Sequence, residues 1–189
     1  MLNDLVILRG ARLDDVPLLD KWDRAPHVIA AVTDDQAAHI AFGDDQDWAD
    51  ELAAQSNTSK YYIAEFDGRP IGALQIIDPC NEATHYWGPI EENLRAIDIW
   101  IGETDCLGKG YGTTLMRRAL ALCFSNPLVK AVLIDPLYSN KKAHRFYQRL
   151  GFKPVERRLF HLEDDCLVHK LIRDDWQMNF PEDSRLGLN

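Results

Sequence analysis

The sequence predicts an α/β (α+β) domain, and three observations carry that expectation. Two apolar runs, Tyr61-Tyr62-Ile63-Ala64-Glu65-Phe66 and Pro70-Ile71-Gly72-Ala73-Leu74-Gln75-Ile76-Ile77, flank Asp67-Gly68, a strong tight-turn dipeptide. Farther along, Ala96-Ile97-Asp98-Ile99-Trp100-Ile101 alternates apolar residues with others, as a half-buried strand does. A glycine-rich turn then leads into residues 113–123, where Leu115, Ala119, Leu122 and Cys123 share one helical face.

The remaining elements follow in order. Residues 5–9 read as a short strand ending at Gly10. Leu13-Asp14-Asp15 opens a helix with Pro17 in its first turn and Val16, Leu19 and Trp22 on its apolar side. The acidic stretch 34–55, interrupted at Gly43, reads as one or two short helices with Trp48 and Leu52 turned inward. Residues 78–95, with Pro79 and Pro89, must form a loop, and a loop of that length is usually functional or disordered. Tyr86 and Trp87 inside it favour binding. Residues 130–135 form a strand whose Val132-Leu133-Ile134 centre predicts burial on both faces. Residues 140–150 form a helix stopped by Gly151, and 152–160 with 166–172 form a closing strand pair. From Trp176 onward, Pro181 and the lack of periodicity predict a loosely held tail, so one domain spans 1–176 and a tail spans 177–189.

At 189 residues the chain is long enough to bury a core without cross-links, and 46% hydrophobic with 27% charged residues is ordinary for a globular protein. A formal charge of −9 argues against general nucleic-acid binding, which needs a basic face, and suits a cationic small partner. Cys80, Cys106, Cys123 and Cys166 are widely spaced, with no paired spacing and no histidines at ligand distance, so they read as reduced thiols and no metal is expected. Met1-Leu2-Asn3-Asp4 lacks a basic leader, and no window reaches the roughly 18 apolar residues of a membrane span. The expected location is the cytoplasm, with no membrane partner and with monomer and homodimer both open.

Leu107-Gly108-Lys109-Gly110-Tyr111-Gly112 lies between the alternating strand and the helix. Three glycines at every second position remove the β-carbons that would keep an anion from the backbone, and a helix start adds unpaired N–H groups and a positive dipole end. The turn suits a phosphate or pyrophosphate. It fits a Walker A loop poorly, because Gly102 and Gly108 are one residue too far apart and Gly110 replaces the hydroxyl residue. It also fits a dinucleotide fingerprint poorly, since the spacing is G-x-G-x-G and lies deep in the chain.

Gly108-Lys109-Gly110-Tyr111-Gly112, Asp135-Pro136 at a strand end, and Asn140, Ala143, Tyr147 and Gly151-Phe152 together resemble the GCN5-related N-acetyltransferase (GNAT) superfamily. With Ala96-Ile97-Asp98, Ser139-Asn140 and Phe146-Tyr147, the chain is most similar to the aminoglycoside 6′-N-acetyltransferases. The resemblance runs from Val6 to Trp176 and is densest over 96–152. It implies a mixed, mostly antiparallel sheet flanked by helices, with strands 96–101 and 130–135 running parallel and splaying apart to admit the pantetheine arm of acetyl-CoA. It implies that the turn cradles the pyrophosphate, so the candidate donor-binding residues are Leu107, Gly108, Lys109, Gly110, Tyr111, Gly112, Thr113 and Asn140. Leu107 stands where the family usually has glutamine or arginine.

Asp98 is a carboxylate in an apolar strand, opposite the face of Ile97, Ile99 and Ile101, and needs either an ion-pair partner or a wet, functional surrounding. By resemblance it holds the reacting amine and acts as a base. Asp135 before Pro136 reads either as a turn cap or as a cleft carboxylate, and matches the family's second substrate aspartate. Tyr147 at helical spacing reads on its own as core, and by resemblance it is the acid that protonates the departing thiolate. Asn140 is explained by helix capping alone and by resemblance touches the donor. Tyr86 and Trp87 stand where the aminoglycoside enzymes carry paired tryptophans, and Ile29-Ala30-Ala31-Val32 stands where they have another, which predicts a reduced aromatic wall. Asp78, Glu82, Glu91 and Glu92 are further loop carboxylates within reach of a cation.

The reaction so implied is acetyl transfer from acetyl-CoA to a primary amine of a cationic small molecule, an aminoglycoside above all, with antibiotic resistance as the associated role. The competing readings are an acyltransferase for a siderophore precursor or a protein N-terminus, and a coenzyme A-binding module without turnover.

Overall fold

A computed structural model describes residues 5–36, 47–160 and 164–186. In chain order the elements are β1 (Val6–Gly10), a 3₁₀ turn (Leu13–Asp15), α1 (Val16–Asp23), α2 (Pro26–Val32) and α3 (Trp48–Ala53). They continue with β2 (Ser59–Phe66), β3 (Arg69–Ile77), β4 (Leu94–Ile101), a second 3₁₀ turn (Thr104–Cys106) and α4 (Tyr111–Phe124). The chain closes with β5 (Ala131–Ile134), α5 (Lys141–Arg149), β6 (Lys153–Phe160), β7 (Asp164–Ile172), α6 (Arg173–Asn179) and α7 (Pro181–Leu186). Seven strands form one sheet in the order β1-β2-β3-β4-β5-β7-β6. The β4–β5 pair is parallel and the other pairs are antiparallel.

The β2–β3 hairpin turns at Asp67 and Gly68, both at positive φ (51° and 73°), the backbone that matches strand twist in a two-residue turn. Alternation along the strands sorts side chains to two faces. On one face Ala64, Leu74, Ile97, Val132 and Ile134 pack under α4, which contributes Leu115, Met116, Ala119, Leu120 and Cys123. Fully burying each such leucine or methionine stabilises the fold by about 1.5–3 kcal/mol. The other face carries two separate clusters. Tyr61, Ile63 and Ala73 meet Leu19 and Trp22 of α1 and Trp48 and Leu52 of α3. Leu94, Ala96, Ala131, Leu133, Phe160 and Val168 meet Trp87.

The parallel pair β4–β5 is short. Leu94, Arg95 and Ala96 pair with Ala131, Val132 and Leu133, and the ladder stops there. Beyond Ala96, β4 continues alongside β3 to Ile101. β5 stays with β7 to Ile134. The two strands therefore part in mid-sheet, and a cleft opens between the two clusters of the second face.

Two expectations need correction. Leu122 is 41% exposed, because it overhangs the sheet beside Lys60, Tyr62 and Arg95, where α4 reaches its end. Met116 and Leu120 complete the buried face in its place. Gly102 is required by close packing, since a β-carbon there would stand 2.1 Å from the Trp22 ring. The segment from Trp176, expected as a loose tail, folds into α6 and α7. Trp176 is buried and stacks on Phe124 with 4.7 Å between centroids, and Asp183 accepts two hydrogen bonds from Arg117 at 2.8 and 3.0 Å. The periodicity was too short to register over one or two turns, and the anchors lie in α4. Trp176→Ala is expected to lower stability by about 3–5 kcal/mol in a denaturant melt, the cost of a large core cavity; a change below 1 kcal/mol by the same melt would return the segment to the status of a tail.

Candidate active site

The cleft measures about 410 Å³, within the range of small-molecule sites. Its floor is set by strand parity. Ala96, Asp98 and Trp100 alternate onto the second face from β4, and Asp135 continues the parity of Ala131 and Leu133 just past β5. Asp98 and Asp135 thus stand on the two walls of the gap and both line the cleft. Tyr147 reaches it from α5, and Asn140 at the N-cap of that helix lines it too, with its Oδ1 accepting from Ala143 N at 3.0 Å. Asn140 is therefore both a cap and a cleft residue.

The electrostatics follow from enclosure. Asp98 opens onto the cleft, yet the surrounding walls strip its hydration, and with Asp135 as a like-charged neighbour its carboxyl is pushed up to about 7. Asp135 is raised by burial as well, opposed by a hydrogen bond from the Tyr86 hydroxyl to its Oδ2 at 2.7 Å. Burial raises Tyr147 above the usual phenol value, and the charges of Asp98 and Asp135 raise it further, so it stays protonated at neutral pH.

Trp87 is placed differently from the expectation. It is 2% exposed in the cluster behind the cleft and does not line it, because Tyr86 and Trp87 are the central residues of a tight turn, closed by the Gly88 N–H to His85 O at 2.8 Å, and leave it toward different neighbours. Tyr86 lines the cleft, stacked on Phe160. Three of the four loop carboxylates are engaged elsewhere, and Glu92 is exposed and does not line the cleft. Asp78 pairs with Arg95 at 3.1 Å and Glu91 with Lys170 at 2.6 Å. Buried Glu82 accepts from the N–H groups of Thr84 and Tyr86, which winds the loop around it.

Sequence reasoning missed the cleft's far wall. Trp48, Tyr61 and Trp100 form an aromatic group there, with centroids 5.3 Å apart for Trp48–Tyr61 and 6.0 Å for Trp48–Trp100. The expected reduction of the aromatic wall is thus offset from α3, β2 and β4. Asp23 also lines the cleft and accepts a short hydrogen bond from Trp48 Nε1, and Asp164 lines it from β7. Strand parity running from Asp98 to Trp100 was the one signal that pointed to this wall.

The glycine turn is open. Gly108 and Gly110 have φ of 71° and 88°, and a β-carbon built on either would meet nothing within 4 Å. Gly110 caps α4 without a side chain, and its carbonyl accepts from Thr113 and Thr114. Among the described residues the N–H groups of 108–112 have no acceptor, so the turn offers bare donors at a helix start. Tyr111 turns its ring inward onto Phe66, and Gly112 packs beside Phe146 of α5. These features would fit a diphosphate such as that of coenzyme A, with Lys109 and the backbone as the groups that could hold it. Among the described residues no group of three or more His, Cys, Asp or Glu is placed to hold a metal ion, and no helix is long and apolar enough to cross a membrane.

Comparison with known proteins agrees with this geometry. A family profile described as acetyltransferase (GNAT) domain matches residues 12–160. An aminoglycoside N(6′)-acetyltransferase type 1 from Klebsiella pneumoniae is 30% identical over 152 residues, which cover 80% of this chain and 75% of that one. The crystal structure of aminoglycoside acetyltransferase AAC(6′)-Ib in complex with coenzyme A superposes with a TM-score of 0.76 at 25% identity, covering 92% of this chain and 98% of that one. The same enzyme with ribostamycin and coenzyme A gives 0.77 at 26% identity, covering 91% and 96%. With its splayed strand pair, its open glycine turn and its matched core, the chain belongs to the GNAT acetyltransferases and is an acetyl-CoA N-acetyltransferase of that type.

Proposed function

We propose that this protein transfers the acetyl group of acetyl-CoA to a primary amine of a multiply charged small molecule, with the 6′-amine of an aminoglycoside as the acceptor. The observation that carries the reading is the pair Asp98 and Asp135 on opposite walls of one cleft, facing an aromatic wall and a protonated tyrosine. Further carboxylates at Asp23 and Asp164 give a polycation more than one place to dock. Aromatic faces at Trp48 and Trp100 suit the apolar face of a sugar ring. Relatives that share the fold acetylate aminoglycosides by name, and one was crystallised with ribostamycin.

Each residue has a defined task. The bare N–H groups of 108–112, with Lys109, hold the donor's diphosphate, and the gap between β4 and β5 leads its acyl end to the cleft. Acetyl-CoA supplies the activated acetyl group. Asp98 and Asp135 draw in the ammonium, and Asp98 takes its proton so that the nitrogen can attack. Tyr147 gives its proton to the departing thiolate. Holding both reactants in attack geometry contributes about 7–11 kcal/mol, more than a single proton-transfer group provides.

Three outcomes follow. Tyr147→Phe is expected to lower kcat with kanamycin roughly 10²-fold or more while leaving acetyl-CoA affinity by calorimetry nearly intact; equal turnover would remove the acid role. Asp98 must be ionised to accept a proton, so kcat/KM is expected to rise with pH through about 7, and Asp98→Asn to abolish that limb. A profile unchanged in the variant would place the base elsewhere. Gly110→Ala forces a side chain into left-handed backbone at a cost of about 1–2 kcal/mol. It is expected to weaken coenzyme A roughly tenfold by calorimetry, and an unchanged Kd would mean that the turn is not the diphosphate seat.

A further inference from the structure

The two cleft carboxylates do not have the same surroundings. Asp135 accepts a hydrogen bond from Tyr86 at 2.7 Å, and Arg158 of β6 adds positive potential. Among the described residues the Asp98 carboxylate accepts no hydrogen bond. The Tyr86 donor is held rigidly. Its ring stacks parallel on Phe160, 4.4 Å between centroids and 4° between planes, and meets the edge of Trp87 at 5.8 Å. Arg158 stands over the Phe160 ring at 4.7 Å and donates to Trp87 O at 2.8 Å, which ties the stack to the loop.

We propose that Tyr86 is a positioning residue which, by donating its hydroxyl to Asp135, keeps that carboxylate ionised and so directs the proton taken from the amine onto Asp98. The inference deepens the amine-acetylation reading and rests on it for its kinetic consequence. Two carboxylates in one enclosed cleft resist double ionisation, and the first proton goes to whichever anion is less stabilised. A fixed neutral donor stabilises only Asp135. The phenol itself stays protonated, because burial and the adjacent carboxylate both oppose its ionisation. With Asp135 charged, Asp98 is the stronger base, near the proton affinity that favours proton transfer at neutral pH. The proton balance is simple: the ammonium loses one proton, Asp98 gains it, and Asp135 is charged before and after.

The other groups facing the pair do not supply this asymmetry. Tyr147 of α5 is neutral and close to both carboxylates. Tyr61 of β2 donates its hydroxyl to Glu51 of α3, and Asp23 of α1 is engaged by Trp48. On β7, Asp164 raises Asp135, and Cys166 is a neutral thiol with its ionisation pushed up by burial.

The test is a pH titration of the ligand-free full chain with ¹³C-carboxyl-labelled aspartate, followed by NMR, with Asp98→Asn and Asp135→Asn used for assignment. Tyr86→Phe keeps the stacked ring and removes only the hydroxyl. It is expected to lower the Asp98 midpoint by roughly one pH unit and raise that of Asp135. An Asp98 midpoint that stays in place overturns the proposal. Asp135→Asn alone is expected to lower the Asp98 midpoint too, and in that background Tyr86→Phe should add nothing. A further drop there overturns the route through Asp135. A merely structural role would change the melting temperature and leave the midpoints alone. Because no substrate is used, the titration decides on Tyr86 whether or not any amine is acetylated. In turnover of kanamycin, the acid limb of kcat/KM is expected to move to lower pH in Tyr86→Phe, and an unmoved limb counts against the role.

Discussion

The molecule depends on one interruption: the hydrogen bonds between β4 and β5 end after three residue pairs. A parallel pair that continued would close the sheet and bury Asp98 and Asp135 without water, at a cost the fold could not bear. Because the strands part, their alternation delivers a carboxylate from each wall to one cavity, and α5 brings Tyr147 against it from the opposite side of the sheet. The same parting aligns the cleft with the glycine turn that follows β4. The proposed donor seat and acceptor site are thus consequences of one topological event.

What keeps the gap open is packing on both sides of it. β4 is held by β3 along its length and by α4 beneath, while β5 is held by β7. The 78–93 loop, wound around the buried Glu82 and pinned by the Asp78–Arg95 pair, carries Tyr86 to the rim. On the far side, Trp22 presses on Gly102 and donates to Glu103, which fixes α1 and with it Asp23. Each contact is ordinary, and together they hold four aspartates around one cavity.

Features set by short-range pattern were legible in the sequence. The hairpin at Asp67-Gly68, the strand parity that isolates Asp98, the glycine turn and the Asn140 cap all depend on residues within a few positions of one another. The far wall was not legible, because Trp48, Tyr61 and Asp23 come from three elements whose meeting is decided by tertiary packing. Trp87 was misread for a related reason. Its type suggested a ligand surface, but which of two neighbours in a loop faces the cleft depends on what packs behind them, here Phe160 and Leu94. The C-terminal helices escaped notice because their anchors, Trp176 on Phe124 and Asp183 on Arg117, join them to α4 rather than to each other.

In the proposed function the donor enters between β4 and β5, and the acceptor amine lies against Asp98. A crystal structure with coenzyme A and kanamycin bound together tests it most directly. The expected result is the diphosphate on the N–H groups of 108–112, the sulfur in the strand gap near Tyr147, and an amine nitrogen within hydrogen-bond reach of Asp98. A donor arm lying outside the gap, or an aminoglycoside bound with its amines turned away from both aspartates, would contradict it.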